Sequence, residues 1–360
     1  MSRPTVATID LNALRHNYQL AESLAPNSQT IPMVKANAYG HGAVEVATAL
    51  ATMAPAFGVA SIDEAMELRQ GGISQPILLL EGSFSADEVN VAAQNNFWLM
   101  VENRGQVEAI VSATIAQQVK VWLGIDTGMH RLGFQGDDIQ SAFNALSNSR
   151  NVSRDIVIAS HFACADDLDN QATLRQIQQF ELHRPTSKET LATSLANSAA
   201  ILAWPKAHGD WQRPGYMLYG NSPFKQPQQH ADQLQAVMNF ESAIISMRSI
   251  EAGESVGYTA NWTAERASTI ATITVGYGDG YPRHARNGTP VLINGTRCPL
   301  VGRVSMDMIT VDVTDIEAQI GDKATLWGAG LSVNEVAEFC GSIGYELLTR
   351  MPARVPRVYI

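Results

Sequence analysis

Between residue 5 and about residue 220, short apolar, β-branched runs alternate with stretches of helical character, and this alternation constrains the fold more than any other feature of the chain. The strands are predicted at 31–34, 56–60, 77–80, 97–101, 119–125 and 156–160, with a weaker run at 193–195. Helical segments separate most of them, among them 11–24 behind an Asp10 cap, 43–51, 63–70 and 86–94. Such repetition suits a parallel barrel or a doubly wound sheet, and no dinucleotide fingerprint opens it to favour the latter. The texture changes after Phe224. A polar linker at 225–230 leads into β-rich runs at 243–250, 268–275, 290–293, 308–313 and 324–327, with one helix at 333–340 among them. A division follows into residues 1–228 and a mostly β domain over 229–360.

Lys35 occupies an unusual place in this pattern. It follows the apolar residues Ile31, Met33 and Val34 and precedes Ala36-Asn37-Ala38-Tyr39-Gly40-His41-Gly42, so it falls at the C-terminal mouth of a β/α unit, where barrels and open sheets place their chemistry. A lysine desolvated there is a candidate Schiff-base amine, because burial disfavours its ammonium form. Read alone, a lysine at a strand end is more often one snorkelling to water.

Composition excludes other classes. The formal charge of −10, with no basic run to offset it, argues against a nucleic-acid partner. The segment 1–10 lacks a signal-peptide core, and nowhere is there an apolar run able to span a bilayer, so no membrane role and a cytoplasmic location are expected. Cys164, Cys298 and Cys340 lack metal-ligand spacing and read as reduced thiols, with no metal expected. The glycine run 276–280 is followed by no helix and is not a nucleotide loop; Asp166-Asp167 reads by itself as a solvated loop.

The segment around Lys35 resembles the pyridoxal-phosphate attachment motif of alanine racemases, and the likeness extends along essentially the whole chain. Its landmarks include Asp126-Thr127-Gly128-Met129-His130-Arg131-Leu132-Gly133, Ser160-His161-Phe162-Ala163, Ala196-Asn197-Ser198-Ala199, Arg213-Pro214-Gly215-Tyr216, Val256-Gly257-Tyr258, Gly276-Tyr277-Gly278-Asp279-Gly280-Tyr281-Pro282-Arg283, Val304-Ser305-Met306-Asp307 and Arg354-Val355-Pro356-Arg357. The resemblance implies a (β/α)8 TIM-type barrel carrying pyridoxal 5'-phosphate, followed by the mostly β C-terminal domain. It implies two bases, Lys35 for the D-enantiomer and Tyr258 for the L-enantiomer. Tyrosine is a poor base at its reference pKa of about 10, so its surroundings must favour the phenolate, with His161 and Arg213 as the residues implied to do so.

Further roles follow from the same likeness. Tyr39, Ser198 and the amides of Gly215 and Tyr216 are implied to hold the phosphate, Arg213 the pyridine nitrogen, and Arg131 the cofactor oxygen and the substrate carboxylate, assisted by the Met306 amide. An arginine cannot accept a proton, so Arg213 would leave the ring a weaker electron sink and favour racemisation over transamination. Tyr277 and Asp307 are implied supporting residues, and Asp166, Arg283 and Arg303 line the way into the site. A small amino acid is the implied substrate and a head-to-tail homodimer with shared sites the implied assembly.

Two positions depart from the family pattern. Gly124 stands where many members have a lysine whose carbamate orients the arginine, and Ala353 where many have a tyrosine narrowing the passage. The first leaves open what holds Arg131. The second keeps alive a broader racemase acting on serine as well as alanine. A non-catalytic pyridoxal-phosphate-binding barrel needs neither Tyr258 nor a β domain and is the reading from another class.

Overall fold

In the computed structural model, which describes residues 3–360, six strands run parallel in sequence order: Phe57–Val59, Ile77–Leu79, Phe97–Val101, Val121–Gly124, Val157–Ala159 and Ala192–Ser194. Gln29–Thr30 pairs in parallel with Trp211–Gln212, and a bridge from Met33 to Gly58 seats that pair beside the first of the six. On the far side the Arg213 amide donates to the Ala196 carbonyl at 2.9 Å, closing the ring. The result is the expected barrel of parallel strands. Trp211–Gln212 leaves no signal in the sequence, because two residues are too few for any periodicity.

The barrel strands are apolar on both faces, which is why they read as continuous runs rather than alternating ones. Ile31, Leu78, Trp98, Met100, Trp122 and Val157 belong to a cluster inside the barrel, while Phe57, Val59, Ile77, Leu79 and Leu99 pack in the larger core under the helices. Trp98, Trp122 and Trp211 meet with ring centroids 5.5–6.2 Å apart. Lys120 lies 4.6 Å from the Trp98 centroid and 2.5 Å from Asp155. It precedes Val121–Gly124 and so lies at the N-terminal end of the strands, opposite the mouth that carries Lys35.

The outer helices follow their local signals. Leu11–Leu24 begins where the Asp10 carboxylate accepts the amides of Asn12 and Ala13 at 2.8 and 3.0 Å, and it buries Leu14, Tyr18 and Ala21 along one face.

The C-terminal part is mostly β. Met238–Ile250 is its spine, pairing antiparallel with Val6–Ile9, Ser268–Ile273 and Lys323–Trp327. Val6–Ile9 also runs parallel to Arg357–Tyr359. The division expected at 228/229 leaves this first strand with the barrel, whereas all its hydrogen-bonded strand partners lie beyond residue 237. Its burial alternates, Ala7 and Ile9 inward, as a strand covered on one face requires. Two helices stand here instead of the single one expected, Val333–Phe339 and Gly344–Thr349. The second is six residues long, too short to declare itself, and it stacks Tyr345 on Tyr216 of the barrel with centroids 3.6 Å apart. All three cysteines are free, and no helix among the described residues is long and apolar enough to cross a membrane.

Candidate active site

The chain after Lys35 does something the sequence did not announce. Ala36, Asn37, Ala38 and Tyr39 take φ of 52°, 54°, 51° and 51°, one turn of left-handed helix built from non-glycine residues. Each such residue costs about 1–2 kcal/mol, so the turn persists only because its surroundings fix it. Glu64 accepts the Ala36 amide on one carboxylate oxygen and the Ala60 amide on the other, both at 2.7 Å. Asn37 Oδ1 accepts the Ala43 amide at 2.8 Å, tying the turn to the helix Ala43–Leu50. Lys35 is thereby set at the mouth with its amine largely desolvated. Burial first, and then the charge of Arg131, lower its pKa.

Across the mouth, three of the four implied phosphate ligands, Tyr39, Ser198 and Gly215, converge, and Tyr216 follows Gly215 in the chain. Ser198 Oγ accepts the Gly215 amide at 2.9 Å and the Met217 amide at 3.2 Å. A Cβ on Gly215 would lie 2.5 Å from Tyr39 Oη, so only glycine admits the phenol there. Tyr39 is stacked on Tyr219 at 4.8 Å, which in turn donates to the Met33 carbonyl at 2.8 Å. Burial raises the Tyr39 phenol to about 12, keeping it a donor.

Arg213 is buried in the floor. Its Nη atoms donate to the carbonyls of Ser194 and Ser160 at 2.9 and 2.6 Å and to Ser194 Oγ, while among the described residues no hydrogen bond engages its Nε–H. Burial lowers its pKa to about 10, and the Glu102 carboxylate opposes the fall. His161 stands nearby. Desolvation, and then the charges of Arg213, Arg131 and Lys35, depress its imidazole to about 3. Arg131 itself is exposed on a loop whose root is fixed by Asp126.

The remaining implied residues sit on the β domain. Tyr258 is 67% exposed and Met306 54%, with Tyr277 beside Arg283, whose guanidinium lies 6.0 Å from the Tyr277 ring centroid. Arg303 Nε donates to Thr259 Oγ1 at 2.7 Å, next to Tyr258. The amides of Tyr277 and Gly278 donate to the carbonyls of Ser305 and Met306 at 3.0 and 2.9 Å, joining the two motifs into one surface. Among the described residues, no hydrogen bond or ion pair joins this surface to the Lys35 mouth. Asp166 is exposed on the barrel loop that carries His161, and Ala353 is exposed as well.

Sequence reasoning missed two braces and one buried carboxylate. Asp279 is fully buried yet ion-paired to Arg3 at 2.6 Å and Arg354 at 3.0 Å; Arg354 also holds Asp307 at 2.8 Å, fixing the Met306-Asp307 turn. Its signal was a carboxylate between two glycines. Glu64 on a helix face and Glu102 at a strand end gave no signal, since exposed glutamates are the rule in both places.

Fold and mouth together define an α/β-barrel protein that presents a desolvated amine and a cradle of anion donors to one ligand. The alanine racemase N-terminal domain profile matches residues 9–223 and the C-terminal domain profile residues 237–359. The chain belongs to the alanine racemase family. It is 48% identical over 360 residues to the alanine racemase of Chromohalobacter salexigens, covering 100% of this chain and 98% of that one. The crystal structure of biosynthetic alanine racemase from Pseudomonas aeruginosa superposes with a TM-score of 0.95 at 48% identity, covering 99% of both chains. Alanine racemase from Bartonella henselae, solved with covalently bound pyridoxal phosphate, superposes at a TM-score of 0.89 and 32% identity, again covering 99% of both chains.

Proposed function

We propose that this protein interconverts L- and D-alanine with pyridoxal 5'-phosphate as cofactor, supplying D-alanine for peptidoglycan in the cytoplasm. The observation that carries this reading is the juxtaposition of a desolvated Lys35 with the Tyr39, Ser198 and Gly215 cradle across one mouth. These residues fit the cofactor. Gly215 keeps the space before the Tyr39 hydroxyl clear of a Cβ, and the hydroxyls and amides there suit a dianion. Lys35 would hold the aldehyde carbon, and Arg213 Nε–H is free to meet the ring nitrogen.

Pyridoxal phosphate, when bound, withdraws electron density from the substrate α-carbon and so acidifies its hydrogen. The chain must then move that proton between two faces. Lys35 Nζ, neutral more often than an exposed lysine, takes it from D-alanine. Tyr258 Oη takes it from L-alanine. Arg131 binds the substrate carboxylate with the Met306 amide assisting, and Arg213 withholds a proton from the ring because it has no lone pair to accept one. Tyr277 and Asp307 support the Tyr258 surface, while Asp166, Arg283 and Arg303 filter small zwitterions by charge.

Exposure of Tyr258 and Met306 supports delivery of that surface by a second copy, so that a head-to-tail homodimer with two shared sites is the catalytic unit. The test is exchange of the α-hydrogen in deuterated water with inversion of L-alanine. A barrel that merely carries the cofactor would do neither.

A further inference from the structure

The strand Phe97–Val101 is followed by Glu102, one of whose carboxylate oxygens nothing in the described structure satisfies. Val101 lies in register with Leu123, so Glu102 stands beside Gly124 at the rim of the mouth. A Cβ on Gly124 would fall 2.9 Å from Glu102 Cγ and 3.1 Å from Oε1, so glycine there is what lets the side chain fold over the strand end. Glu102 Oε2 is buried and has no hydrogen-bond partner. Such a group is costly unless a cation meets it in the working protein.

Three charged groups face it: Arg131 from the loop after Val121–Gly124, Arg213 from the floor, and Glu81 from the loop after Ile77–Leu79. Arg213 is already committed to Ser160 and Ser194. Arg131 takes part in none of the ion pairs of the described residues, although its loop is firmly rooted. Asp126 Oδ1 accepts the amides of Gly128, Met129 and His130 at 2.9, 3.1 and 3.0 Å. A braced loop therefore presents an unrestrained guanidinium near an unpaired carboxylate.

We propose that Glu102, admitted by Gly124, is the positioning residue that holds the Arg131 guanidinium toward the substrate carboxylate. This rests on the racemase reading and answers what orients Arg131 in a chain with no lysine at 124. A guanidinium carries five donors in a fixed fork, enough to engage Glu102 on one edge and a substrate carboxylate on the other. Fixing it beforehand spares the substrate the cost of ordering a long side chain.

Geometry of this kind brings a pH dependence. Burial, and secondarily Glu81, hold the Glu102 carboxyl up at about 7 against the downward pull of Arg131 and Arg213. Pairing with a guanidinium favours the ionised carboxyl, so the grip on Arg131 is present at and above that value and is lost at lower pH, as the carboxyl takes a proton. KM for alanine therefore rises as pH falls below about 7.

Holoenzymes of the wild type, Glu102→Gln and Glu102→Asp decide the matter, read by alanine turnover and by the dissociation constant of propionate, a carboxylate of alanine's size without the amine. Glu102→Gln should raise KM and the propionate constant by about tenfold or more, change kcat by less than about threefold, and remove the acid-side rise in KM. Glu102→Asp should recover part of the affinity and keep the acid limb. A propionate constant within about twofold of wild type in Glu102→Gln, or an acid limb that survives in it, overturns the proposal. Failure of the wild type to racemise alanine would instead sink the racemase reading, and the propionate arm, needing no turnover, would still report on Glu102.

Discussion

Glu64 holds the Ala36 amide at 2.7 Å, and this one bond ties the strained turn that aims Lys35 to a helix on the outside of the barrel. The other carboxylate oxygen takes the Ala60 amide, so the same side chain also fixes the end of the neighbouring strand segment. Glu64→Ala leaves both amides without that acceptor; the Ala36 amide is exposed and can turn to water, so the loss is about 0.5–1.5 kcal/mol for each bond. Because Glu64 is one of two side chains that tie down the left-handed residues, the other being Asn37 through the Ala43 amide, the expected result is a lower Tm together with weakened cofactor binding, measured by titrating apoenzyme with pyridoxal phosphate. A change in Tm alone, with cofactor affinity intact, would separate Glu64 from the placement of Lys35.

Lys35 and Lys120 lie at opposite ends of the barrel strands, one at the mouth and one against Trp98 and Asp155. Borohydride reduction of the holoenzyme followed by peptide mapping is expected to place the label on Lys35. Lys120 is ion-paired at the closed end and should stay unlabelled. A label there would end the assignment of the mouth as the cofactor site.

Ala353 is exposed, and on the proposed reading it borders the passage to the site without adding bulk there. Ala353→Tyr is expected to lower activity on serine relative to alanine. The change should be modest, since one group in an apolar pocket discriminates by about 1–3 kcal/mol. An unaltered ratio of kcat/KM for the two substrates would show that other residues set the pocket.

Much of this was legible in the sequence because the barrel strands are short, continuous apolar runs and the chemistry-bearing motifs are local. Lys35 could be placed at a strand mouth from its neighbours alone, and the cradle residues from the motifs that carry them. What stayed hidden was non-local or non-periodic. The left-handed turn uses alanine, asparagine and tyrosine rather than glycine, so no residue type announced it. Val6–Ile9 joins strands more than two hundred residues away, a pairing that alternation cannot reveal. Glu102 gains its meaning only from Gly124 on the adjacent strand, a relation set by barrel register and invisible along the chain.

The central claim is that Lys35 and Tyr258 act as two bases brought together from two copies of the chain. Tyr258→Phe should impair proton abstraction from α-deuterated L-alanine far more than from D-alanine, and Lys35→Ala should be inactive in both directions. When these two variants, each nearly inactive, are unfolded together and refolded as a mixture, half the dimers are mixed. Each mixed dimer has one site with both bases and one with neither, so roughly a quarter of wild-type activity should return. If both bases came from a single chain, every site would still lack one, and no activity would be recovered despite proven exchange of subunits.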